Sequence, residues 1–291
     1  GRMKNIRRAI MGKDKFKGSL QLGSKNLYVN ELMNIMASDG EEELLTSTDS
    51  ATIDTLPMEI VVVPDNFDFD LDVNIGAVHY SKANFRNVKG KVALRNQYIF
   101  LNNLNFTSTL GDANTTLLYK ATDKSGADVS AELKLNKLNI TQVTEQLPVV
   151  DSMLPMLKSF EGLISTDIVA LGKLDSGMNI DMPSLLASCY IRGDSLVLLD
   201  NETFRKLSKI LLFKNKEKNL IDSLSLEFIL KNGAITFFPF TLQMDRYKVG
   251  ILGIQNVDMT FDYEFHVLKW PLLLKLLVRY KGDIDDLDNA R

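Results

Sequence analysis

Strict alternation of apolar and polar residues is the strongest pattern in this 291-residue sequence. From residue 67 to residue 75 the order is Phe, Asp, Phe, Asp, Leu, Asp, Val, Asn and Ile. Successive side chains of a β-strand point to opposite faces, so a strand would place the apolar residues on one side and the polar ones on the other. A helix would scatter both sets around its axis. The pattern therefore predicts a strand.

Shorter segments of the same kind follow at regular intervals, with turn residues such as Asn96-Gln97 and Lys124-Ser125-Gly126 between them. Regularly spaced short strands with turn signals indicate an antiparallel meander. The further strands are predicted at Ala77–Tyr80, Phe85–Leu94, Tyr98–Thr107, Asn114–Ala121, Asp128–Leu135, Ile164–Leu171, Gly177–Met182, Ser188–Ile191, Ser195–Leu199, Ser223–Leu230, Ala234–Leu242, Lys248–Gln255 and Asp258–Val267.

Apolar residues at helical spacing are less frequent. Thr141–Phe160 has them, although Pro148 and Pro155 are expected to split that helix because proline cannot donate a backbone hydrogen bond. Three more helices are predicted at Asn30–Ala37, Asn201–Phe213 and Pro271–Tyr280.

One pattern occurs three times, starting at Leu20, Leu133 and Tyr190: a strand, a brief break, a short apolar step and then a helix. Such an internal repeat favours an extended repeat architecture. The predicted fold is mainly β: an extended, twisted antiparallel β-sheet of repeated short strands with a few docked α-helices.

The chain is divided into three parts. Residues 1–15 are interpreted as a truncated lead-in or an added start, and residues 16–281 as the β-rich region. Inside that region, residues 38–57 are acidic and lack periodicity, which predicts a mobile loop. Residues 282–291 are predicted to be an acidic tail.

Composition narrows the classes of function. With 34 basic and 37 acidic residues, the net charge of −3 argues against a nucleic-acid-binding protein, which normally has a basic face. A single cysteine excludes an intrachain disulfide, and two histidines argue against a multi-histidine metal site. The most apolar run, Trp270–Val278, is shorter than the ~18 residues of a membrane-spanning helix and is interrupted by Lys275.

Several ordered segments resemble the C-terminal periplasmic region of AsmA-like proteins, in the version typical of Bacteroides-type bacteria. The resemblance covers most of the range 16–267 but departs at Leu110-Gly111-Asp112, where the family often has a glycine pair. The segments that carry it are Val63–Val73, Phe85–Val92, Leu101–Phe106 followed by Leu110-Gly111, Phe160–Leu174 and Leu230–Phe240. It implies an inner-membrane anchor outside this sequence, a periplasmic body with a curved sheet, an apolar inner face and a role in outer-membrane lipid homeostasis or assembly.

The resulting hypothesis is a non-enzymatic envelope protein that holds or passes a phospholipid or another acyl lipid. The strand residues proposed to face the lipid are Phe67, Phe69, Leu71, Val73 and Ile75. Their shared side would form an apolar strip about 27 Å long at ~3.4 Å per residue. The alternative is a closed core, since an inward strand face usually packs a core against helices. One alternative function is a scaffold that assists outer-membrane protein assembly through envelope-protein contacts at sheet edges. Another is a glycan-binding module, which a single tryptophan makes less favourable.

The acidic side of the same strand invites comparison with a calcium loop. An EF-hand needs glycine at its sixth position and a glutamate at its twelfth, and counting from Asp68 these positions hold Val73 and His79. The interleaved apolar residues also require a strand. A solvated acidic face that discourages edge pairing is the better interpretation.

Other chemically capable residues are assigned structural roles. His79, His266 and Cys189 each lie in a strand pattern without a hydrolase or metalloprotease motif around them. Gly172-Lys173 lacks the spacing of a phosphate loop, and Gly250-x-x-Gly253 indicates a kink or a close approach between strands. The basic run Lys214–Lys218 is interpreted as a solvated loop, with contact to anionic lipid headgroups as its alternative. No constellation of titratable groups predicts catalysis or a cofactor.

Overall fold

The computed structural model describes residues 2–4, 15–29, 60–80, 83–147, 150, 153–199, 220–244, 247–256, 258, 260–269 and 277–283. These residues are mainly β, which confirms the predicted fold class. The strands are β1 (Arg2–Lys4), β2 (Phe16–Tyr28), β3 (Phe67–Tyr80), β4 (Ala83–Arg95), β5 (Tyr98–Ser108), β6 (Asp112–Asp123), β7 (Gly126–Asn139), β8 (Phe160–Glu161), β9 (Leu163–Asp175), β10 (Leu186–Leu198), β11 (Leu220–Lys231), β12 (Ala234–Met244), β13 (Tyr247–Asn256), β14 (Thr260–Lys269) and β15 (Leu277–Asp283). The helices are α1 (Ile140–Gln146) and two 3-10 helices, Pro155–Ser159 and Met182–Ser184.

The strands follow one another in sequence order across a single sheet, except that β8 pairs with β10 beside the main path. Neighbouring strands with described registers are antiparallel, as predicted, with one exception: β2 and β3 are parallel. Parallel neighbours require a crossover connection, whereas an antiparallel pair needs only a short turn. The alternation pattern does not encode strand direction, so the fully antiparallel prediction was wrong at this pair.

Most strands have 10 to 14 residues, longer than predicted. Phe67–Ile75 and Ala77–Tyr80 belong to one strand, β3, and the two segments predicted around residues 188–199 form β10. The strand predicted at Gly177–Met182 is wrong. Asp175 Oδ1 instead accepts the backbone N–H groups of Gly177 and Asn179, both at 2.9 Å, and so closes a turn.

The helical predictions are partly confirmed. The helix α1 ends at Gln146, just before Pro148, and a 3-10 helix begins at Pro155, so the prolines divide the segment as expected. Residues 277–280 are wrong as a helix because they lie in β15. Gly282 and Asp283, assigned to the acidic tail, also belong to β15. The predictions for 30–37, 38–57, 201–213, 271–276 and 284–291 lie outside the described residues.

Each of the three predicted repeats corresponds to one continuous strand rather than two. In β7 and β10 the first residue after the predicted break is left-handed: Lys137 (φ 56°) and Ser195 (φ 57°). A residue with positive φ distorts a strand locally without ending it. The remaining repeat, which starts at Leu20, lies in β2. There the backbone continues through the predicted break without a left-handed residue.

The chain divides into two compact units. Unit 1 comprises Gly1–Leu133 and Leu171–Asp181, and unit 2 comprises Lys134–Ala170 and Met182–Arg291. The described residues of unit 1 lie mainly in strands and turns, with Val29 alone in helical conformation after β2. Two small buried clusters lie there: one contains Val73, Ile75 and Val88, and the other is formed by Ile60, Tyr119, Ala121 and Ala127.

Unit 2 has a more extensive buried core. Its inward side chains come from β9 to β14 and from the segment around α1. They include Ile164, Cys189, Ile191, Leu196, Leu198, Ile221, Leu224, Leu226, Phe228, Leu230, Ile235, Phe237, Val249, Ile251, Phe261, Tyr263 and Phe265. Helix α1 contributes the buried Ile140 and Val143, and its first turn is capped by Asn139, whose Oδ1 accepts the N–H of Gln142 at 3.0 Å.

Candidate functional site

The five residues of the predicted strip share one side of β3, and the register extends that side over the neighbouring strands. Leu20 of β2 and Val92 of β4 lie opposite Leu71 on either side, and Val92 in turn lies opposite Leu101 of β5. We call this surface the apolar face. Its members are Phe16, Leu20 and Leu22 from β2, Phe67, Phe69, Leu71, Val73 and Ile75 from β3, Val88, Val92 and Leu94 from β4, and Ile99 and Leu101 from β5.

Burial changes along the strip. Phe67, Phe69 and Leu71 are half-buried, whereas Val73 and Ile75 are buried, with 8% and 2% of their surface exposed. Val73 and Ile75 pack with Val88 in the first buried cluster of unit 1. The strip thus has a packed end at Ile75 and a more open end at Phe67.

Aromatic rings line the open end. The rings of Phe16 and Phe67 meet edge-to-face with centroids 6.1 Å apart, and Phe67 meets Phe69 in the same way at 5.6 Å. Edge-to-face pairs of this kind hold the rings in a fixed relative orientation, and Phe16 remains half-buried like Phe67 and Phe69. On β2, β4 and β5 the other members of the apolar face are also half-buried, apart from Val88.

Part of the apolar side of unit 1 is covered by its own chain. The segment at residues 60–63 crosses it at β6, where the Tyr119 hydroxyl accepts the N–H of Val61 at 3.0 Å and Ile60 packs beside Tyr119. The packed group reaches Ile99 and Leu117, but the strip residues of β3 do not belong to it.

The acidic side of β3 is balanced by basic neighbours. Asp68 lies 3.5 Å from Lys17 Nζ and 3.7 Å from Arg95 Nε, and Arg95 also donates a hydrogen bond to Asp70. These cross-strand ion pairs give Asp68 and Asp70 basic partners on β2 and β4. Among the described residues, no group of three or more potential metal ligands is found.

The two histidines are placed in strands, as predicted. His79 in β3 stacks on Tyr28, with ring centroids 4.7 Å apart, and its Nδ1 lies 2.6 Å from Asn84 Oδ1. His266 in β14 lies 3.6 Å from Glu264. Each contact has a structural explanation, and the two residues belong to different units.

Cys189 is buried in β10, with its Sγ 3.2 Å from the hydroxyl of Thr166. Burial raises the pKa of the Cys189 thiol to about 11, so the thiol stays protonated at neutral pH. A protonated, buried thiol is a poor nucleophile, and this geometry supports its interpretation as a small core residue.

The predicted close approach between strands is confirmed at Gly253 but not at Gly250. A Cβ added at Gly253 would lie 2.5 Å from the carbonyl oxygen of Asp262 and would collide with the Tyr263 ring, so Gly253 permits close approach of β13 and β14. A Cβ added at Gly250 would make only ordinary contacts, the nearest with Leu268 at 3.5 Å. Gly172 and Lys173 lie within β9. The basic run at 214–218 lies outside the described residues.

Sequence reasoning identified the β3 strip but missed its partners on β2, β4 and β5. Each partner strand carries its own apolar alternation, yet only the register shows which residues become neighbours. No helix in the described part of the chain is both long and apolar enough to cross a membrane. No protein-family model matches the sequence, and searches of curated proteins and of solved structures also found no match.

Proposed function

We propose that the chain holds an acyl lipid on the apolar face of unit 1. The observation that carries this proposal is a surface of adjoining apolar side chains on four strands, most of them half-buried. A contiguous, partly exposed apolar surface is typical of a binding site in soluble proteins. The face is built for apolar contact and offers no chemistry for a reaction, so the proposed role is non-enzymatic.

The open end sets where the lipid would lie. From Phe67 to Leu71 the strip extends about 14 Å at ~3.4 Å per residue, and the neighbouring strands widen it by ~4.8 Å each. Five methylenes buried there would contribute about 4 kcal/mol at ~0.8 kcal/mol each. The packed end at Val73 and Ile75 would form the inner limit of the site.

The resemblance to AsmA-like proteins supports the envelope setting of this proposal. It implies a body on the periplasmic side of the inner membrane, held by an anchor, and a role in outer-membrane lipid homeostasis or assembly. The rival proposal, a scaffold for outer-membrane protein assembly, assigns the face to an envelope protein instead of a lipid.

The test compares two glutamate substitutions three residues apart on β3. Leu71→Glu places a charge on the apolar face, and Asn74→Glu places the same charge on the exposed opposite side. An unpaired carboxylate beside an acyl chain is costly, so Leu71→Glu is expected to remove co-purifying lipid, whereas Asn74→Glu retains it. Lipid extracted from the natively purified full-length protein is quantified by mass spectrometry, and thermal melting is recorded on the same samples.

Two results would contradict the proposal. One is a folded Leu71→Glu protein that carries as much lipid as the wild type. The other is a collapsed melting temperature for Leu71→Glu, which would identify a closed core. Ile75→Glu calibrates that second result because Ile75 is only 2% exposed and its substitution is expected to unfold unit 1. A co-purifying envelope protein, lost on Leu71→Glu while lipid is absent from the wild type, would favour the scaffold.

A further inference from the structure

The opposite, polar side of unit 1 contains a cleft of about 740 Å³. Its main lining side chains form three parallel rows across the strands. The middle row is Asp70, Ala93, Phe100 and Leu118; one flanking row is Asp72, Lys91 and Asn102; the other is Arg95 and Tyr98. The volume lies within the ~300–1,000 Å³ typical of small-ligand sites.

The cleft exists because the middle row contains one small side chain, Ala93, between longer ones. Ala93 has a side chain of one carbon, whereas its neighbours two residues away on the same face of β4, Lys91 and Arg95, are among the longest side chains. These two therefore stand as walls on either side of a floor at Ala93. Arg95 is held in place by its hydrogen bond to Asp70 and its ion pair with Asp68.

One end of the middle row is an apolar platform. Phe100 lies opposite Ala93 on one side and Leu118 on the other, and Leu118 is 38% exposed. Tyr98 borders this platform, and its ring is held by the ammonium of Lys120, 5.2 Å from the ring centroid. An aromatic side chain on an outward strand face gains nothing from the core and is available to stack on a flat ligand.

The polar lining is balanced in charge and mixed in hydrogen bonding. Asp70 and Asp72 supply two negative charges, and Lys91 and Arg95 supply two positive ones. The carboxylates accept hydrogen bonds, the lysine and arginine donate them, and the Asn102 amide does both. A cleft without net charge gives no advantage to an ionic ligand, whereas alternating donors and acceptors suit hydroxyl groups, which also do both.

We infer that this cleft binds a neutral carbohydrate of one or two rings, with the apolar face of a sugar ring on Phe100 and its hydroxyls between Asp72, Lys91 and Asn102. The side chains of the three rows lie on the other side of the sheet from the apolar face, although Leu71 and Val92 of that face also border the cleft. The sugar assignment does not rest on the proposed lipid function, because the two concern different side chains and are tested by different variants.

The experiment uses saturation-transfer-difference NMR of the full chain with maltose, cellobiose, lactose and chitobiose at millimolar concentration. Glucuronic acid and glucosamine serve as charged comparators. At least one neutral disaccharide is expected to give a signal that the charged monosaccharides do not displace. Ala93→Gln fills the floor and Phe100→Thr removes the platform, so each is expected to weaken binding by at least tenfold.

A control variant separates this site from general effects. Tyr28→Thr removes an aromatic side chain that is 50% exposed but lies outside the cleft, and is expected to leave binding unchanged. Folding of every variant is checked by circular dichroism. The inference would be overturned by the absence of a signal from all four disaccharides, by binding of the charged sugars alone, or by a signal that persists in folded Ala93→Gln and Phe100→Thr proteins.

Discussion

The apolar sides of the two units differ in how completely they are covered. In unit 2 the inward residues of β10 to β12 are sealed, with Leu196 and Ile221 at 0% exposure and Leu230 and Ile235 at 1%. In unit 1 the corresponding residues of β2 to β5 are mostly half-buried. Both sets alternate with polar residues at the same period of two. Alternation therefore defines which side of a strand is apolar, and the surroundings decide whether that side becomes a core or a surface.

The cover in unit 2 is visible in its contacts. Ile140 and Val143 of α1, together with Leu154 and Leu157 of the segment that follows, are buried against the sheet. Gln255 of β13, 1% exposed, donates its amide hydrogen to the carbonyl oxygen of Met153 at 2.9 Å and so ties that segment to the strand. The described residues of unit 1 include a shorter cover, the segment at 60–63.

Truncation of one leucine in each unit should give the largest contrast. Leu230→Ala leaves a cavity in a sealed core and is expected to cost about 2–5 kcal/mol of unfolding free energy. Leu20→Ala on the half-buried apolar face is expected to cost less than half as much, because fewer atoms lose contacts. Denaturant unfolding measures the free energies, and hydrogen exchange with mass spectrometry assigns the loss to one unit.

Equal losses in the two variants would contradict the comparison, since they would mean that the apolar face of unit 1 is as tightly packed as the core of unit 2. Leu71→Ala provides a second measurement on the same face, at a position opposite Leu20 in the parallel register.

The fold class and most strands followed from the sequence because apolar–polar alternation is a local property. The run Phe67–Ile75 and the turn at Asn96-Gln97 needed only neighbouring residues for their assignment, and both residues of that turn adopt positive φ in the structure. The division by Pro148 and Pro155 is equally local. Each depends on backbone chemistry that no distant residue alters.

The error in strand direction arises where distant residues decide, because the parallel pairing of β2 with β3 depends on how the intervening chain crosses. The error at Gly177–Met182 is local: the nearby Asp175 carboxylate accepts two backbone N–H groups and closes a turn, which the apolar–polar pattern does not show. The same distinction applies to the candidate sites. The strip on β3 could be predicted because it lies within one strand. Its neighbours on β2 and β4, and the cleft at Ala93, depend on the register between strands, which the sequence pattern does not show.

The rate of cysteine labelling can compare the buried core of unit 2 with the apolar face of unit 1. Cys189 is 6% exposed and its pKa is raised to about 11 from an ordinary 9.0, so at pH 8 it should contain about 100-fold less thiolate than a free thiol. Its labelling by iodoacetamide is expected to be at least that much slower than in the unfolded chain. Leu20→Cys in a Cys189→Ser background is expected to react far faster, because Leu20 is half-buried on the apolar face.

The same pKa shift makes stability depend on pH in a defined direction. Since the folded-state pKa of Cys189 lies above the unfolded value, folding favours the protonated thiol. This contribution is complete below pH 9 and is lost as pH rises from 9 to about 11. The Cys189→Ser protein should lack that part of the pH dependence. Rapid labelling of Cys189 in the native protein would show that unit 2 opens readily, and this would contradict the description of its core as sealed.

Removal of one buried hydroxyl tests the polar tie in unit 2. The Tyr263 hydroxyl donates to Gln255 Oε1 at 2.7 Å, and burial raises the pKa of Tyr263. Tyr263→Phe leaves the buried oxygen without its donor, at an expected cost of about 1–3 kcal/mol. Tyr190→Phe is the matched control, because its hydroxyl pairs with Ser225 at 2.8 Å on the exposed side. Denaturant unfolding measures both losses of free energy. If they are equal, the hydrogen bond between Tyr263 and Gln255 does not stabilise the covered core of unit 2.

Substitutions of charged residues on the outer, polar strand faces are expected to have the smallest effect on stability. That effect should be similar in the two units. In unit 2, Arg279 donates two hydrogen bonds to Asp262, at 2.9 and 2.7 Å, and these hold the pKa of Asp262 below its ordinary 3.8. Because the folded-state pKa is the lower one, the pair stabilises the fold above pH 3.8, and this is lost as pH falls through the folded value. Asp262→Asn should therefore lower stability slightly at pH 7, with a difference that disappears at low pH and shrinks in high salt.

Asp68→Asn makes the equivalent change in unit 1 and should have a similarly small effect at pH 7. A large loss for either variant would mean that the outer charges, and not only the apolar sides, distinguish the stability of the two units.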